Sequence, residues 1–221
     1  MDHTRHTGIY NVPTYYRVGL VGGGGIGAMT ALVLSKMGVV QLTVWDGDTV
    51  SETNIATQWH RVSDVGKEKV FSLARSLEEF SDELLFEPMP EWVTEQTVFP
   101  YFDLLISAVD SITARKLVWD AIYRGEKPAW YLDQRMSARQ YQHFLVCMAD
   151  KQAVQNYANL LESISEDDVE TEPCTEKATF FCSATAAGHA GNVLCNILRN
   201  ETHSHRLVHF IPQSQIMTFK L

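Results

Sequence analysis

Short apolar segments alternate along the chain with longer stretches that suit helices. Apolar runs at 18–21, 41–45 and 102–109 predict buried strands, and a short strand is expected at 84–86. Helices are predicted over 26–37, which Gly38 closes, over 67–80, where apolar residues recur at helical spacing, and over 112–124. Strands separated by helices of this length indicate an α/β fold with a mostly parallel sheet covered on both faces.

The second half of the chain continues with less regular elements. Strands are predicted over 130–133 and 143–148, a buried helix rich in small residues over 184–198, and a hairpin over 207–219 around Pro212. We therefore expect a single domain over 1–221. Its parts are a nucleotide-binding core at 18–133, a mobile acidic loop at 162–176, and a C-terminal helix and hairpin at 183–221 with antiparallel strands.

Composition narrows the class of protein. The chain has 221 residues, of which 45% are apolar, and its 18 basic and 27 acidic residues give a net charge of −9. An acidic chain is a poor partner for nucleic acid or a membrane surface, so neither is expected. The uncharged run at 18–35 suggests a membrane span by length, but a glycine run interrupts it and favours strand, turn and helix. Four cysteines are too few for a disulfide scaffold and favour a cytoplasmic protein.

A glycine-rich turn follows the first predicted strand. Gly22, Gly24 and Gly27 fit G-x-G-x-x-G where a helix begins, so backbone N–H groups can approach phosphate oxygens. Asp46 ends the next strand, where a carboxylate can accept hydrogen bonds from ribose hydroxyls. An adenosine nucleotide is the expected ligand. The alternative is that the glycines only permit tight packing of strand against helix.

An NAD-linked oxidoreductase is a second interpretation of this turn. Tyr123 and Lys127 match Tyr-x-x-x-Lys, and a second glycine pattern begins at Gly19. However, Gly125 and Pro128 interrupt the helix on which such a pair would act, and Gly19 falls inside the first strand. Both matches are therefore disfavoured.

Three further motifs follow in order. They are D-G-D-T-V-S-E-T-N-I-A-T-Q at 46–58, V-G-K-E-K at 65–69 and S-A-V-D-S at 107–111. Together with the glycine turn, the chain resembles the ThiF/MoeB/ubiquitin-activating superfamily, whose members adenylate the C-terminal carboxylate of a small protein or a comparable carboxylate. The resemblance implies a Rossmann-like three-layer αβα fold, ATP and Mg²⁺ as cofactors, and a homodimer.

The resemblance also implies residue roles. Asn54 would contact the phosphates, Lys69 would neutralise them, and Asp110 would bind Mg²⁺. The implied ATP-binding residues are Gly22, Gly24, Gly25, Gly27, Asp46, Asp48, Gln58 and Lys69. Attack of a carboxylate on the α-phosphate brings anions together, so the reaction needs a cation, a lysine and oriented amides more than a general base. A lone aspartate suits Mg²⁺, which keeps several waters and also binds phosphate oxygens.

Each charged residue also has a structural alternative. Lys69 could be a solvated helix residue, Asp110 a helix N-cap and Asp48 a turn former. Arg115, shortly after Asp110, is equally consistent with an ion pair on the helix surface and with the site.

The chain lacks one positive charge of the family pattern. Thr57 stands where the family has the arginine that helps to hold the triphosphate, and the family T-D-N is V-D-S here. The possible substitutes for this charge are Arg5, Arg17, Arg61 and Arg135. A catalytically degenerate, nucleotide-binding partner subunit is therefore an alternative to an enzyme.

The cysteines and histidines complete the list of reactive groups. The chain has no C-x-x-C pair, so no structural zinc is expected. His203, His205 and His209 could hold a metal, but a polar tail strand explains them more simply. Cys174 follows the acidic residues of 163–172, and thioester-forming relatives place their nucleophile in a comparable position. Lys177 would favour the Cys174 thiolate, whereas the neighbouring acidic residues oppose it, and a structural cysteine at the end of the loop is the alternative. Cys147 and Cys195 are expected in the core, and Cys182 is undecided.

The sequence therefore predicts an ATP-dependent adenylyltransferase. The expected substrate is the C-terminal tail of a ubiquitin-like or sulfur-carrier protein, with release of pyrophosphate. The expected catalytic residues are Lys69, Asp110, Asn54 and Cys174.

Overall fold

A single eight-stranded sheet forms the centre of the computed structural model, which describes residues 2–137, 139–165, 178–201 and 205–219. The strands lie in the order β3-β2-β1-β4-β5-β6-β7-β8. Strands β1 to β5 are parallel, and β6 to β8 continue the sheet as an antiparallel meander. Their bounds are Arg17–Val21, Gln41–Trp45, Leu85–Met89, Leu104–Ser107, Trp130–Ser137, Gln140–Cys147, Arg206–Phe210 and Gln215–Phe219. The predicted mostly parallel sheet with antiparallel C-terminal strands is confirmed.

Five α-helices within the described residues cover the sheet. They are α1 Gly25–Met37, α2 Lys69–Glu78, α3 Ile112–Arg124, α4 Lys151–Ser163 and α5 Phe180–Arg199. Helix α1 ends at Gly38, whose φ of 95° is the left-handed conformation predicted for a closing glycine. Helix α4 was not predicted. Its start is defined by Asp150, whose carboxylate accepts hydrogen bonds from two backbone amides of the first turn.

The helices form two layers with separate apolar cores. Helices α1, α2 and α5 cover one face, where Leu20, Leu34 and Leu73 are fully buried. Helices α3 and α4 cover the other face, where the ring of Trp119 contacts those of Tyr131 and Tyr157. The arrangement is the predicted three-layer αβα fold.

Some predicted segments differ from the structure in extent. Strand β5 continues to Ser137, well beyond the predicted 130–133, because it pairs along its whole length with β6 in a hairpin. Residues 162 and 163, assigned to the acidic loop, belong to the last turn of α4, and residues 166–177 lie outside the described part. The C-terminal hairpin forms as predicted, with a 3₁₀ turn at Ile211–Gln213 between β7 and β8. None of the described helices combines the length and the apolar content that crossing a bilayer requires.

A buried carboxylate joins β5 to α3 and α4. Asp133 is fully buried and pairs with the guanidinium groups of Arg115 and Arg135. The Tyr157 hydroxyl donates a third hydrogen bond to it, at 2.9 Å, and burial raises the pKa of this hydroxyl well above its usual value. Arg115 was considered as a helix-surface residue, but it is only 4% exposed, since α3 turns it toward the sheet. Every charge in this cluster is therefore paired.

Removing the Asp133 carboxylate should destabilise the protein strongly. Asp133→Ala leaves two guanidinium groups without their counter-charge, and we expect a loss of about 3–5 kcal/mol in the free energy of unfolding. Asp120→Ala, on the exposed side of α3, is the control and should change stability by less than about 0.5 kcal/mol. Urea denaturation measures both. Equal losses for the two variants would contradict the structural role of the cluster.

Candidate functional site

The glycine turn lies at the point where the strand order reverses. Strand β1 lies between β2 and β4, and the connections leaving these strands run to opposite sides. Gly22 has φ of 100°, and a Cβ atom there would lie 2.7 Å from the carbonyl oxygen of Ala108. A Cβ on Gly27 would overlap the carbonyl oxygen of Gly22. Only glycine permits this approach of backbone to backbone, so the sharp turn into α1 depends on these two residues.

The amino end of α1 is open for a ligand. Gly24 is its N-cap residue and provides no side-chain cap, and the first amides of any helix lack carbonyl partners within the helix. Positions for Cβ atoms on Gly24 and Gly25 contact Gln58 Nε2, at 3.8 Å, and the Thr57 carbonyl oxygen, at 3.4 Å. The motif at 46–58 therefore folds back onto the glycine turn, as predicted. A bare helix terminus of this kind attracts anions such as phosphate.

The side of the site opposite residues 46–58 is formed by distant parts of the chain. A Cβ on Gly25 would lie 2.8 Å from Ser183 Oγ and 3.7 Å from Met136 Cε. Ser183 belongs to the first turn of α5, and Met136 to the part of β5 that the sequence did not predict. Both helix α5 and the β5–β6 hairpin therefore border the site.

Asp46 binds the glycine turn directly. Its Oδ2 accepts a hydrogen bond from Gly23 N at 2.6 Å, and its Oδ1 accepts one from Asp48 N at 2.8 Å. Burial raises the pKa of this carboxyl group, and the nearby Lys69 ammonium opposes the rise. Each oxygen retains a further lone pair, which a ribose hydroxyl can use.

Lys69 reaches the same edge of the sheet as the first residue of α2. A short antiparallel pairing between 48–50 and 66–69 fixes its backbone, with Lys69 N donating to Asp48 O at 2.9 Å. Its ammonium group is 2.8 Å from Asp48 Oδ2, and the lysine side chain is only 7% exposed. The alternative of a solvated helix residue is therefore wrong. Asp48, considered as a turn former, is the ion-pair partner of this lysine.

Asn54 ends a 3₁₀ turn beside this loop. Its Oδ1 accepts a hydrogen bond from Ser51 N at 2.9 Å, and its backbone carbonyl accepts one from Gln58 N at 2.8 Å. The side-chain oxygen of Asn54 is thus already engaged in a hydrogen bond within its own turn. Only the NH₂ group of Asn54 remains available to a phosphate.

Asp110 is exposed just beyond the end of β4. Ser111, not Asp110, caps α3, because its hydroxyl accepts a hydrogen bond from Ala114 N at 3.1 Å. The N-cap alternative for Asp110 is therefore wrong. Asp110 makes no ion pair or hydrogen bond to the described residues. The buried guanidinium of Arg115 binds the Val109 carbonyl and so anchors the segment that carries Asp110.

The proposed substitutes for the family arginine either lie away from the site or are engaged in another ion pair. Arg61 pairs with Glu79, at 2.7 Å, beyond the far end of α2. Arg17 begins β1 and so lies at the opposite edge of the sheet. Arg135 is near the site but is engaged with Asp133. Arg5 lies in the N-terminal segment, which packs against the C-terminal ends of α1 and α5.

The remaining alternatives can be located as well. Tyr123 lies in the last turn of α3, at the amino edge of the sheet, and the Lys127 ammonium lies over its ring, 4.7 Å from the ring centroid. This pair cannot serve a ligand at the glycine turn. Burial raises the pKa of the Cys182 thiol to about 11, which disfavours its thiolate form. Cys147 and Cys195, which were expected in the core, are only half-buried. Cys174, Lys177 and His203 lie outside the described residues.

No metal cluster is present among the described residues. They contain no group of three or more His, Cys, Asp or Glu side chains arranged to hold a metal ion. His209 contacts His189, with 3.1 Å between ring nitrogens. A single exposed Asp110 still fits Mg²⁺, which binds to protein through one or two carboxylates and to phosphate oxygens.

A buried histidine supports the glycine turn and was not predicted. His60 Nε2 lies 3.1 Å from the Gly23 carbonyl oxygen, which can only accept, so this nitrogen carries a proton. The Ser72 hydroxyl lies between His60 Nδ1, at 2.9 Å, and the buried Asp64 carboxylate, at 3.0 Å. Burial lowers the pKa of His60 to about 4, so the ring is neutral at pH 7. A lone histidine within an irregular segment carries no periodic signal that could have identified it.

These features together define a Rossmann-like α/β protein with its candidate site at the carboxyl edge of the parallel strands. The sequence matches the ThiF family over residues 11–216. The chain belongs to the ThiF family.

Curated relatives share about half of this chain. "Adenylyltransferase and sulfurtransferase uba4" of Aspergillus clavatus is 35% identical over 116 residues, which cover 51% of this chain and 24% of the relative. "Adenylyltransferase and sulfurtransferase MOCS3" of Dictyostelium discoideum is 32% identical, covering 49% and 27%. "Probable adenylyltransferase/sulfurtransferase MoeZ" of Mycobacterium tuberculosis is 33% identical, covering 51% and 30%. The matching region spans less than a third of each relative.

Solved structures extend the likeness to nearly the whole chain. Escherichia coli MccB in its complex with ATP superposes with a TM-score of 0.68 at 14% identity, covering 94% of this chain and 64% of that one. PaaA superposes with a TM-score of 0.69 at 17% identity, covering 94% and 73%. At these identities the likeness concerns the fold.

The hydrogen bonds of His60 predict a specific effect on the glycine turn. Ser72→Ala removes the partner of Nδ1 and loosens the ring that holds the Gly23 carbonyl. We expect hydrogen exchange of the Gly22 and Gly23 amides, which are hydrogen-bonded to Trp45 O and Asp46 Oδ2, to become about 10-fold faster, which corresponds to one buried hydrogen bond of roughly 1.4 kcal/mol. Ser76→Ala, one turn further along α2 and equally buried, is the matched control. Unchanged exchange in the Ser72 variant would refute the supporting role of His60.

Proposed function

We propose that this protein is an ATP-dependent adenylyltransferase that activates a carboxylate. The observation that carries the proposal is the convergence of three groups at one edge of the sheet. These groups are the uncapped amino end of α1, the buried Asp46 carboxylate and the Lys69 ammonium group. Amides and a lysine suit phosphates, and the carboxylate suits a ribose. The names of the curated relatives also support adenylyl transfer.

In the proposed reaction, a carboxylate oxygen attacks the α-phosphorus of ATP. The new bond joins that oxygen to phosphorus, and the bond from phosphorus to the bridging oxygen of the β-phosphate breaks. The products are an acyl adenylate and pyrophosphate, which carries away the electron pair of the broken bond. No proton need be removed from the carboxylate, because it is ionised at neutral pH. The protein therefore acts by orientation and by neutralising charge.

The chain supplies that neutralisation from several sides. In our proposal the amides of Gly24 and Gly25 and the NH₂ group of Asn54 bind phosphate oxygens, and Gln58 closes the loop over them. Lys69 approaches the phosphates with the donors that its ion pair with Asp48 leaves free. Mg²⁺ bound to Asp110 and to phosphate oxygens would add positive charge at the leaving group.

The proposed substrate is the C-terminal tail of a ubiquitin-like or sulfur-carrier protein. The curated relatives that combine adenylyltransferase and sulfurtransferase in their names favour this class. MccB, a fold neighbour, has been solved in complex with N-formylated MccA. We further propose a homodimer in the cytoplasm, where the free thiols of the described cysteines remain reduced.

A nucleotide-binding partner subunit without activity is the second candidate. It is favoured by Thr57, which lacks the charge of the family arginine, and by the engagement of Arg61 and Arg135 with carboxylates elsewhere. ATP binding without pyrophosphate exchange would identify this function.

Loss of the Lys69 side chain should lower the rate of catalysis much more than it lowers the stability of the fold. In an ATP–pyrophosphate exchange assay driven by a protein that ends in Gly-Gly, we expect Lys69→Ala to lower the rate at least about 100-fold, the effect of removing one preorganised charge. Lys36→Ala, near the other end of α1, should retain the wild-type rate. Exchange at the wild-type rate in the Lys69 variant would refute its role, and no exchange by the wild type would favour the partner subunit.

Cys174 is proposed as the acceptor in a later thioester step. The thiolate would attack the carbonyl carbon of the acyl adenylate and release AMP. Cys174→Ser should therefore retain pyrophosphate exchange but form no adduct that a thiol reagent can cleave on a denaturing gel. Cys195→Ser is the control and should retain the adduct. An unchanged adduct in the Cys174 variant would exclude this residue.

A further inference from the structure

An exposed tryptophan covers the strand end next to Asp46. Trp92 follows β3, and the chain turns there through a hydrogen bond from Glu91 N to Met89 O at 2.8 Å. A Cβ atom placed on Gly47 would lie 2.6 Å from Trp92 Nε1 and 2.7 Å from both Cδ1 and Cε2. Nearly equal distances to three bonded ring atoms mean that Gly47 faces the flat side of the indole, not its edge.

More than half of the Trp92 surface is accessible to solvent. Trp92 is 60% exposed, whereas Trp45 and Trp119 are 4% and 7% exposed. Single exposed apolar residues are common on protein surfaces, so what distinguishes Trp92 is its position beside Asp46. The apolar core does not require this side chain, since it belongs to none of the buried clusters.

The sheet order gives the direction in which a bound nucleotide would extend. The glycine turn follows β1, Asp46 follows β2, and Trp92 follows β3, and these three strands are neighbours. Neighbouring strands are about 4.8 Å apart, so the three groups span roughly 10 Å along the carboxyl edge. With phosphates at the helix terminus and the ribose at Asp46, the base must lie on the side of Asp46 away from Gly23. Trp92 lies on that side.

We propose that Trp92 is the stacking platform for the purine base of the nucleotide. Its outer face would contact the base, while its inner face rests on Gly47. This inference rests on the proposed function and adds to it a residue that determines affinity for the base. Gly47 is then required because any side chain there would displace the indole. Stacking uses the face of the base and not its edge, so it should raise the affinity for both ATP and GTP. The gain in affinity should be smaller for a nucleotide with a pyrimidine base, because that base is smaller.

The test compares ligands with and without a base. Binding of the α,β-methylene analogue of ATP and of inorganic triphosphate is measured by calorimetry on the wild type, Trp92→Ala and Trp92→Phe. We expect Trp92→Ala to lower the affinity for the analogue about 10-fold or more and to leave the affinity for triphosphate unchanged. Trp92→Phe should retain most of the affinity for the analogue. Tyr15→Ala, an exposed aromatic residue at the opposite edge, should bind both ligands as the wild type does.

Two further readouts keep the test independent of folding. The analogue should quench tryptophan fluorescence in the wild type and much less in Trp92→Phe. Gly47→Ala should show the same base-dependent loss as Trp92→Ala. Unchanged affinity for the analogue in Trp92→Ala, or an equal loss for both ligands, would overturn the stacking role and leave the proposed function intact. Failure of the wild type to bind the analogue would instead overturn the proposed function.

Discussion

The candidate site depends on a single buried carboxylate, that of Asp46. Its two oxygens accept hydrogen bonds from two backbone segments, the glycine turn and the loop that carries Asp48. Asp48 in turn pairs with Lys69, so the glycine turn, the loop that carries Asp48 and the start of α2 hold one another at the end of β2. Burial raises the pKa of the Asp46 carboxyl group, and the backbone amides and the lysine help to keep it ionised. Such a group sets the geometry of the edge before any ligand arrives.

Two other buried acids support the site from opposite sides. Asp133 pairs with Arg115 and Arg135, and Arg115 also binds the backbone next to Asp110. Asp64 pairs with Lys67 and Arg75 and reaches the glycine turn through Ser72 and His60. The chain as a whole is acidic, yet these buried acids each have two basic partners, because an unpaired charge in the interior is costly. Paired in this way, they give the loops above them rigid anchors, which a site that works by orientation requires.

The departure at Thr57 changes how charge would be balanced in the proposed reaction. Among the described arginines considered as substitutes, Arg61 and Arg135 already neutralise carboxylates. The positive charge for a triphosphate would then come from Lys69, the amino end of α1 and Mg²⁺. In an enzyme these three sources of positive charge suffice for catalysis, whereas a partner subunit only binds the nucleotide.

Local sequence determined the parts of this protein that depend on contiguous residues. The strand, glycine turn and helix at 17–37, the closing Gly38 and the position of Asp46 all follow from side-chain size and backbone freedom within a short segment. The motifs that resemble the ThiF family likewise predicted a Rossmann-like three-layer fold with a mostly parallel sheet.

Tertiary structure decided the rest. Helix α4 and the extension of β5 depend on packing against β6, and the His60 hydrogen bonds depend on α2. Trp92, which follows β3, meets Gly47 at the end of the neighbouring strand β2. Motif spacing alone left open whether Lys69 is a solvated residue and whether Asp110 caps α3. In the structure Lys69 forms an ion pair, and Ser111 caps α3. These contacts join residues far apart in the chain, so no periodicity along the sequence reports them, and only the folded backbone brings the groups within bonding distance.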